Sequence, residues 1–416
     1  MSDIACSWFH EVGEWGEAHW DAWDLLVNAC TESSFFLDAR SVRALFEAGG
    51  RQVYAVVWHE GPNPDPADWV GVAVVEDTRA ESHQLEHHMA SRSAWFKFLS
   101  RRLHGRKGVL RFPVRVMGSV LGSGGHAYRF APSVPPSERR ELVSAALVQS
   151  LRQHPGGERP RVALVKDFPL HDAEAGGRSG GSRWLPNWVD LEFDPVMRLP
   201  LDPSWTGLDD YLSALRTKSR TKVKRILTCS ESCSLTEWGL AEVEEHAQAL
   251  YDLYAQVYHE ASFRLGYLVP EDLVAAKRQW GDDFKVQVIH HGDRLVAFQC
   301  GYVTRTTVEA FFVGFHRGLN RDLSLYQRML VEFIRWGIEA GAKEVVMGRT
   351  ALDIKSSVGA LPEHWYCSVH FKNPLLQRGA RLAAKQYWPR YERLKRPWKQ
   401  DAFPMTHPPY TKDAWV

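Results

Sequence analysis

Arg349 and Lys355 stand just beyond a short apolar run, Glu344 to Met347, that reads as a strand. The Arg349 guanidinium is a planar fork able to take two oxygens of a carboxylate or phosphate, and the Lys355 ammonium adds a point charge. Asp353 lies between them and serves either as a proton acceptor or as the N-cap of a helix after the strand. Glu260, just before Ser262-Phe263, is a further acid or base. His316, Arg317 and Arg321 surround Gly318 in a loop, where they either donate to a phosphate-bearing ligand or are simply solvated. The sequence has no G-x-S-x-G elbow and no recognisable triad, so a covalent nucleophile is not indicated. His83, His87 and His88 lack an H-E-x-x-H signature and the Cys229/Cys233 pair has no second pair, so no metal is expected.

Polyanions are the other chemistry on offer. Lys218 and Arg220 belong to a crowd on one helix with Arg216, Lys222, Lys224 and Arg225. A second crowd runs from Arg378 to Lys399, with Glu392 its single acid and Trp388, Tyr391 and Trp398 interleaved. Phosphate contact with base stacking, or an anchor in an anionic membrane interface, suits such composition; a solvated face is the bland alternative. These patches are local, because 51 basic and 50 acidic residues leave a net charge of +1 over 416 residues. Six scattered cysteines read as reduced thiols. The acidic N-terminus and the lack of an uncharged run near 18 residues suggest a cytoplasmic chain, peripheral at the inner membrane surface if the basic patches meet lipid.

The elements that position these residues occur twice. A helix around Leu25–Val27 and a second at Ser41–Ala48 precede a hairpin, Val53–Trp58 with Val70–Val75; helices at Leu250–Val257 and Pro270–Trp280 precede Val286–Ile289 with Leu295–Tyr302. Then come a strand (Val114–Leu121; Val308–Phe315), a long helix (Ser137–Gln153; Leu323–Ala340) and a short strand (Val162–Val165; Glu344–Met347). Two similar α/β units follow, 1–200 and 201–416, with a boundary near Pro200. A basic helical insertion, Glu81 to Lys107, interrupts the first, and Gly118–Gly125 reads as a hairpin turn.

Three runs resemble a known family: W-T-G-L-D-D-Y-L-S-A-L-R-T-K-S-R-T-K-V-K-R from Trp205, G-R-T-A-L-D-I-K-S-S-V-G-A from Gly348, and L-V-K-D-F from Leu164. The chain resembles the GNAT-fold acyltransferases, specifically the tandem branch that includes the Fem-type aminoacyl transferases. The resemblance implies two tandem GNAT-like domains, each a mixed, mostly antiparallel sheet flanked by helices. It implies direct transfer of an acyl or aminoacyl group from acyl-CoA, or a similar donor, to an amine of a small molecule or peptide. A tRNA-borne donor, or a non-catalytic relative that binds a phosphate ligand or membrane, are the alternatives. It also places Tyr326 near the leaving group; with Arg349 and Asp353 at the strand end and Glu260 before Ser262-Phe263 it makes up the expected catalytic set, and Lys355, Lys166, Asp167, Lys218 and Arg220 are expected around the substrate. His316, Arg317, Gly318 and Arg321 would then hold the donor.

One departure bears on the donor. In the Q/R-x-x-G-x-G/A loop of acetyl-CoA members, backbone N–H groups bind pyrophosphate, whereas starting from Arg317 the glycine places fall on Asn320 and Asp322. The corresponding N-terminal loop, Ala131 to Pro136, has three prolines and so lacks three N–H donors. Donor binding is expected in the C-terminal domain only.

Overall fold

Val53 to Trp58 has no charged residue and is apolar on alternate positions of both faces, so as a strand it must be covered on both. In the computed structural model, which describes residues 4–29, 34–81, 111–152, 159–169, 187–192, 194–258, 265–384 and 394–404, it is. Val53, Ala55 and Val57 enter one core cluster, and Tyr54, Val56 and Trp58 enter another. This is the two-residue alternation of a strand between two layers.

The chain forms two compact units. The first holds β1 (Ile4–Phe9), α1 (Glu17–Asn28), α2 (Ala39–Ala48), β2 (Gln52–Glu60), β3 (Trp69–Glu81), β4 (Arg111–Met117), β5 (Tyr128–Phe130), α3 (Pro136–Ser150), β6 (Val162–Pro169) and β7 (Val189–Glu192). The second begins with β8 (Val196–Pro200), α4 (Leu208–Ala214), α5 (Thr217–Cys229), β9 (Cys233–Glu237), α6 (Leu240–Tyr258) and α7 (Pro270–Trp280). It continues with β10 (Phe284–His291), β11 (Arg294–Val303), β12 (Thr307–Phe315), α8 (Arg317–Leu323), α9 (Leu325–Glu339), β13 (Glu344–Val346), α10 (Leu352–Ser357) and β14 (Leu361–Glu363). The chain then returns to the first unit with β15 (Trp365–Phe371) and α11 (Pro374–Ala384). The units part between Phe193 and Asp194, and Ser262–Tyr267 and His364–Arg390 also belong to the first, so no single cut near Pro200 separates them.

Apart from β5, an eighth strand of the first sheet that pairs with β3, the two sheets correspond strand for strand. One runs β1-β2-β3-β4-β6-β15-β7 and the other β9-β10-β11-β12-β13-β8-β14. Each has a four-strand antiparallel meander, a parallel partner after a crossover helix (β4·β6 and β12·β13), then two antiparallel strands. The expected repeat is therefore present as two tandem mixed α/β sheets. Its sixth place is filled from afar: β15 takes it in the first sheet and β8 in the second.

Packing explains the local choices. In the second unit α4 and α9 bury Tyr211, Leu212, Leu330, Phe333 and Ile334 against Leu199, Val308 and Val345. Each such side chain contributes about 1.5–3 kcal/mol. A Cβ on Gly314 would sit 2.5 Å from the Tyr254 amide nitrogen, so only glycine lets β12 lie this close to α6.

Two sequence expectations need correction. Gly118–Gly125 is not a hairpin turn, since β4 and β5 both pair antiparallel with β3 and 118–127 is an excursion between them. Gly118, at φ 109, turns the chain out of β4 and ends that strand before the expected Leu121. Trp398 is not an exposed stacking residue: it is 2% exposed inside the second core, with its indole N–H donating to the Gly359 carbonyl at 3.0 Å. The Glu81–Lys107 insertion beyond Glu81, the three clustered histidines, Trp388 and Tyr391 lie outside the described residues.

Candidate functional site

The second sheet opens into a fork. β12 and β13 pair in parallel only from Thr307–Glu309 against Glu344–Val346. β12 then runs on to Phe315, and the register shift between Cys300 and Gly301 leaves Phe311 as an extra residue on it. A bulge tilts the strand and re-aims its side chains. Ala310, Phe311, Phe312 and Val313 are consequently only half-buried, although β12 lies inside the sheet.

Charged groups gather where the strands part. Glu309, the last residue of β12 paired with β13, is 4% exposed. Across β13, Arg198 donates to Glu344 at 2.6 Å and forms an ion pair with Glu363 at 2.5 Å. The Arg198 guanidinium is partly desolvated, yet Glu344, Glu363 and Glu309 together hold it charged. Beyond β13, Gly348, Thr350 and Ala351 all have positive φ (67°, 67° and 48°), which is strained for the last two. Lys355, on the α10 that follows, is buried, and its ammonium donates back to the Arg349 carbonyl inside this loop. Burial pushes Lys355 down to about 7, against the opposing pull of Asp194 and Glu309. A lysine with that affinity exchanges a proton at neutral pH.

The expected residues divide. Arg349, in the loop after β13, and Lys355, on α10, are joined by the bond from the Lys355 ammonium to the Arg349 carbonyl, but Lys355 is turned inward and Arg349 donates to the Asp194 carbonyl. Asp353 pairs with Lys395 at 2.9 Å on the half-exposed outer side of α10. Tyr326 sits in the first turn of α9, tilted against Phe315 at 5.9 Å; burial raises its pKa, so the phenol keeps its proton. Lys218 and Arg220 lie in the first turn of α5, and the member of that crowd that reaches α10 is Lys222, bonded to Ser357 at 2.9 Å. Glu260 lies outside the described residues. Glu309 and Arg198 were missed. The signal was present, a carboxylate and an arginine inside apolar strands, where unpaired charge is costly.

The donor loop departs from an open glycine turn in a specific way. His316–Leu323 is not extended: α8 begins at Arg317, and the Asn320 side chain accepts the Tyr326 N–H at 2.9 Å. A residue in a glycine place thus covers one amide at the start of α9. His316 packs its ring over Gly318, and Arg317 and Arg321 are exposed.

In the first unit the corresponding position is filled. The excursion 118–127 stands where β12 carries its one-residue bulge, and Lys166 and Asp167 tie it to β6. Lys166 donates to the Gly122 carbonyl at 2.5 Å and pairs with Asp167 at 2.9 Å. Asp167, 2% exposed at φ 57, accepts the Gly124 N–H at 2.9 Å and the Cys367 thiol at 3.5 Å. Beside them His126 is pushed down to about 3, first by burial and then by Arg129 and Lys166, and is neutral. Among the described residues no group of three or more His, Cys, Asp or Glu side chains is placed to hold a metal ion.

No curated protein sequence matches the chain. FemX is similar over 90% of this chain and all of its own, at 10% identity and a TM-score of 0.47. A tandem GNAT protein from the clavulanic acid biosynthesis pathway is similar over 89% of this chain and 99% of its own, at 12% and 0.46. The C-terminal domain of a putative lysylphosphatidylglycerol synthetase from Agrobacterium fabrum is similar over 88% and 95%, at 11% and 0.44. Residues 213–356 match the model of the acetyltransferase (GNAT) domain family. That segment runs from α4 through the fork to α10, so the match to the acetyltransferase (GNAT) domain falls on the second unit.

Proposed function

We propose that the chain is an N-acyltransferase that moves an acyl or aminoacyl group directly from an activated donor, acyl-CoA or similar, to an amine, with the reaction in the fork of the second unit. The observation that carries this reading is the parting of β12 and β13 beside Glu309 and Lys355. In direct transfer an amine attacks a thioester or ester carbonyl. The site must align the two, take a proton from the amine and stabilise the oxyanion. A carboxylate at the fork and a lysine near neutrality are suitable proton acceptors, and the protonated Tyr326 is a suitable donor to a leaving group. The first unit, its own fork filled by 118–127, serves as scaffold in this proposal.

A tRNA-borne donor is favoured over acetyl-CoA by one observation, the Asn320 side chain on the α9 amide where a pyrophosphate would need free N–H groups. The exposed basic residues of α5 would then follow the RNA backbone. No helix among the described residues is long and apolar enough to cross a membrane.

Thermal shift against CoA, acyl-CoAs and aminoacyl-tRNA tests the proposal, since a ligand of the folded state at a hundred times its Kd adds about 2.7 kcal/mol. Once a donor is found, Glu309→Gln should lower the transfer rate about 10²-fold or more while leaving donor binding intact. Arg349→Lys should cost about tenfold, by loss of the planar fork. No stabilisation by any of the three donor classes would leave the scaffold reading standing.

A further inference from the structure

Helix α11 turns its polar side inward. Its buried residue is Gln377, whose amide donates to the Asn187 carbonyl at 2.5 Å and accepts the Phe371 N–H at 2.8 Å. Arg381 adds a bond to the Asn187 side chain at 3.2 Å. At 3.6 residues per turn, Leu375, Leu376 and Leu382 fall on the arc opposite Gln377. They are 80%, 59% and 61% exposed, and the only other large hydrophobics exposed among the described residues are Leu25 and Tyr267. A soluble unit normally docks such a helix by its leucines; here hydrogen bonds hold the other side.

The charges around the leucines select an occupant. α11 carries no acidic residue, and the exposed Arg378 borders the leucine arc. The sequence after it adds Lys385, Arg390 and Arg393 with Tyr387, Trp388 and Tyr391, against Glu392 alone. An apolar partner needs no cationic margin. A bilayer with anionic headgroups uses both features: leucines enter the headgroup–acyl boundary and arginines meet the phosphates.

We infer that α11 is a docking surface for an anionic membrane, lying in the interface plane on Leu375, Leu376 and Leu382 with Arg378 at the phosphates. The inference goes beyond acyl transfer and does not rest on it, so either can fail alone.

Cosedimentation of the full chain with extruded vesicles tests it, using phosphatidylcholine alone and phosphatidylcholine with about 30% phosphatidylglycerol. The chain should sediment with the anionic vesicles, and less so as salt rises. Replacing the three leucines together with serine should weaken binding at least about tenfold at an unchanged melting temperature, because the side chains are already exposed. Arg378→Gln should reduce the preference for phosphatidylglycerol. Failure to sediment with anionic vesicles at low salt overturns the inference, as does undiminished binding by the serine variant. A dimer in light scattering that the serine variant converts to monomer assigns the face to a second copy, and a lowered melting temperature assigns it to the chain itself; either outcome overturns it.

Discussion

Trp398→Ala is expected to lower the stability of the second unit by about 3–5 kcal/mol, a large share of the 5–15 kcal/mol typical of a domain. The indole lies 2% exposed between Trp205, stacked at 6.1 Å, and Tyr211, edge-on at 5.9 Å. It covers Gly359, whose φ of 108° and lack of a Cβ leave the ring its place. The segment around it is stitched to the α4–α5 junction by Arg216 N–H to the Pro397 carbonyl at 2.8 Å and Lys399 N–H to the Ala214 carbonyl at 3.1 Å. It also reaches α10, through Lys395 N–H on the Ser356 hydroxyl at 3.0 Å and the Lys395–Asp353 pair. Loss of the tryptophan therefore loosens the helix that holds Lys355. Urea titration measures the cost as a lower midpoint at unchanged slope. Gly359→Ala should destabilise comparably, and the double variant by less than the sum, because both disturb one contact. A cost below 1 kcal/mol for Trp398→Ala would mean that this segment does not brace α10.

The second large effect is a pH dependence. Lys355 falls from its usual 10.5 to about 7 in the folded chain, mainly by burial. Below pH 7 both folded and unfolded states hold the proton, and the folded state bears the whole cost of a buried ammonium. Between about 7 and 10.5 the unfolded state keeps the proton and the folded state has released it. Stability therefore rises with pH through that window, by up to roughly 4–5 kcal/mol in total. Lys355→Met removes the titrating group. The unfolding free energy of the unmodified protein minus that of Lys355→Met should climb from pH 7 to 10, a subtraction that cancels the other lysines and tyrosines. Parallel curves would show that Lys355 titrates like an exposed lysine. The same ionisation predicts a break near pH 7 in the transfer-rate profile, absent from the methionine variant.

Much of the fold was legible because local rules govern it. The short apolar runs Val53–Trp58 and Leu295–Tyr302, rich in β-branched and aromatic residues and bounded by turn residues, announce strands, and the apolar stripe of Leu323–Ala340 announces a crossover helix. The order of these elements exposed the repeat. The site was legible in part, since a strand end followed by Gly348-Arg349 marks where an α/β sheet opens, and α10 does begin there. Which of its groups face the fork was not. Lys355 reads from the sequence as a ligand-seeking cation, yet its ammonium is turned onto the Arg349 carbonyl and lies near Glu309. Lys166 and Asp167 hold 118–127 against β6.

The sequence by itself determined the α/β class, the two equivalent units and the basic, acid-poor stretches, because each depends on composition or on neighbours a few residues apart. Tertiary structure alone decided that β15 joins the first sheet and β8 the second, since a buried strand offers the same backbone donors and acceptors to any edge. It alone placed Glu309 at the fork, which depends on how far β12 and β13 pair and on one bulge. It alone turned the leucines of α11 outward. Helical period fixes which residues share a face, whereas the direction that face points is set by what the rest of the chain bonds to, here Gln377 on Asn187 and Phe371.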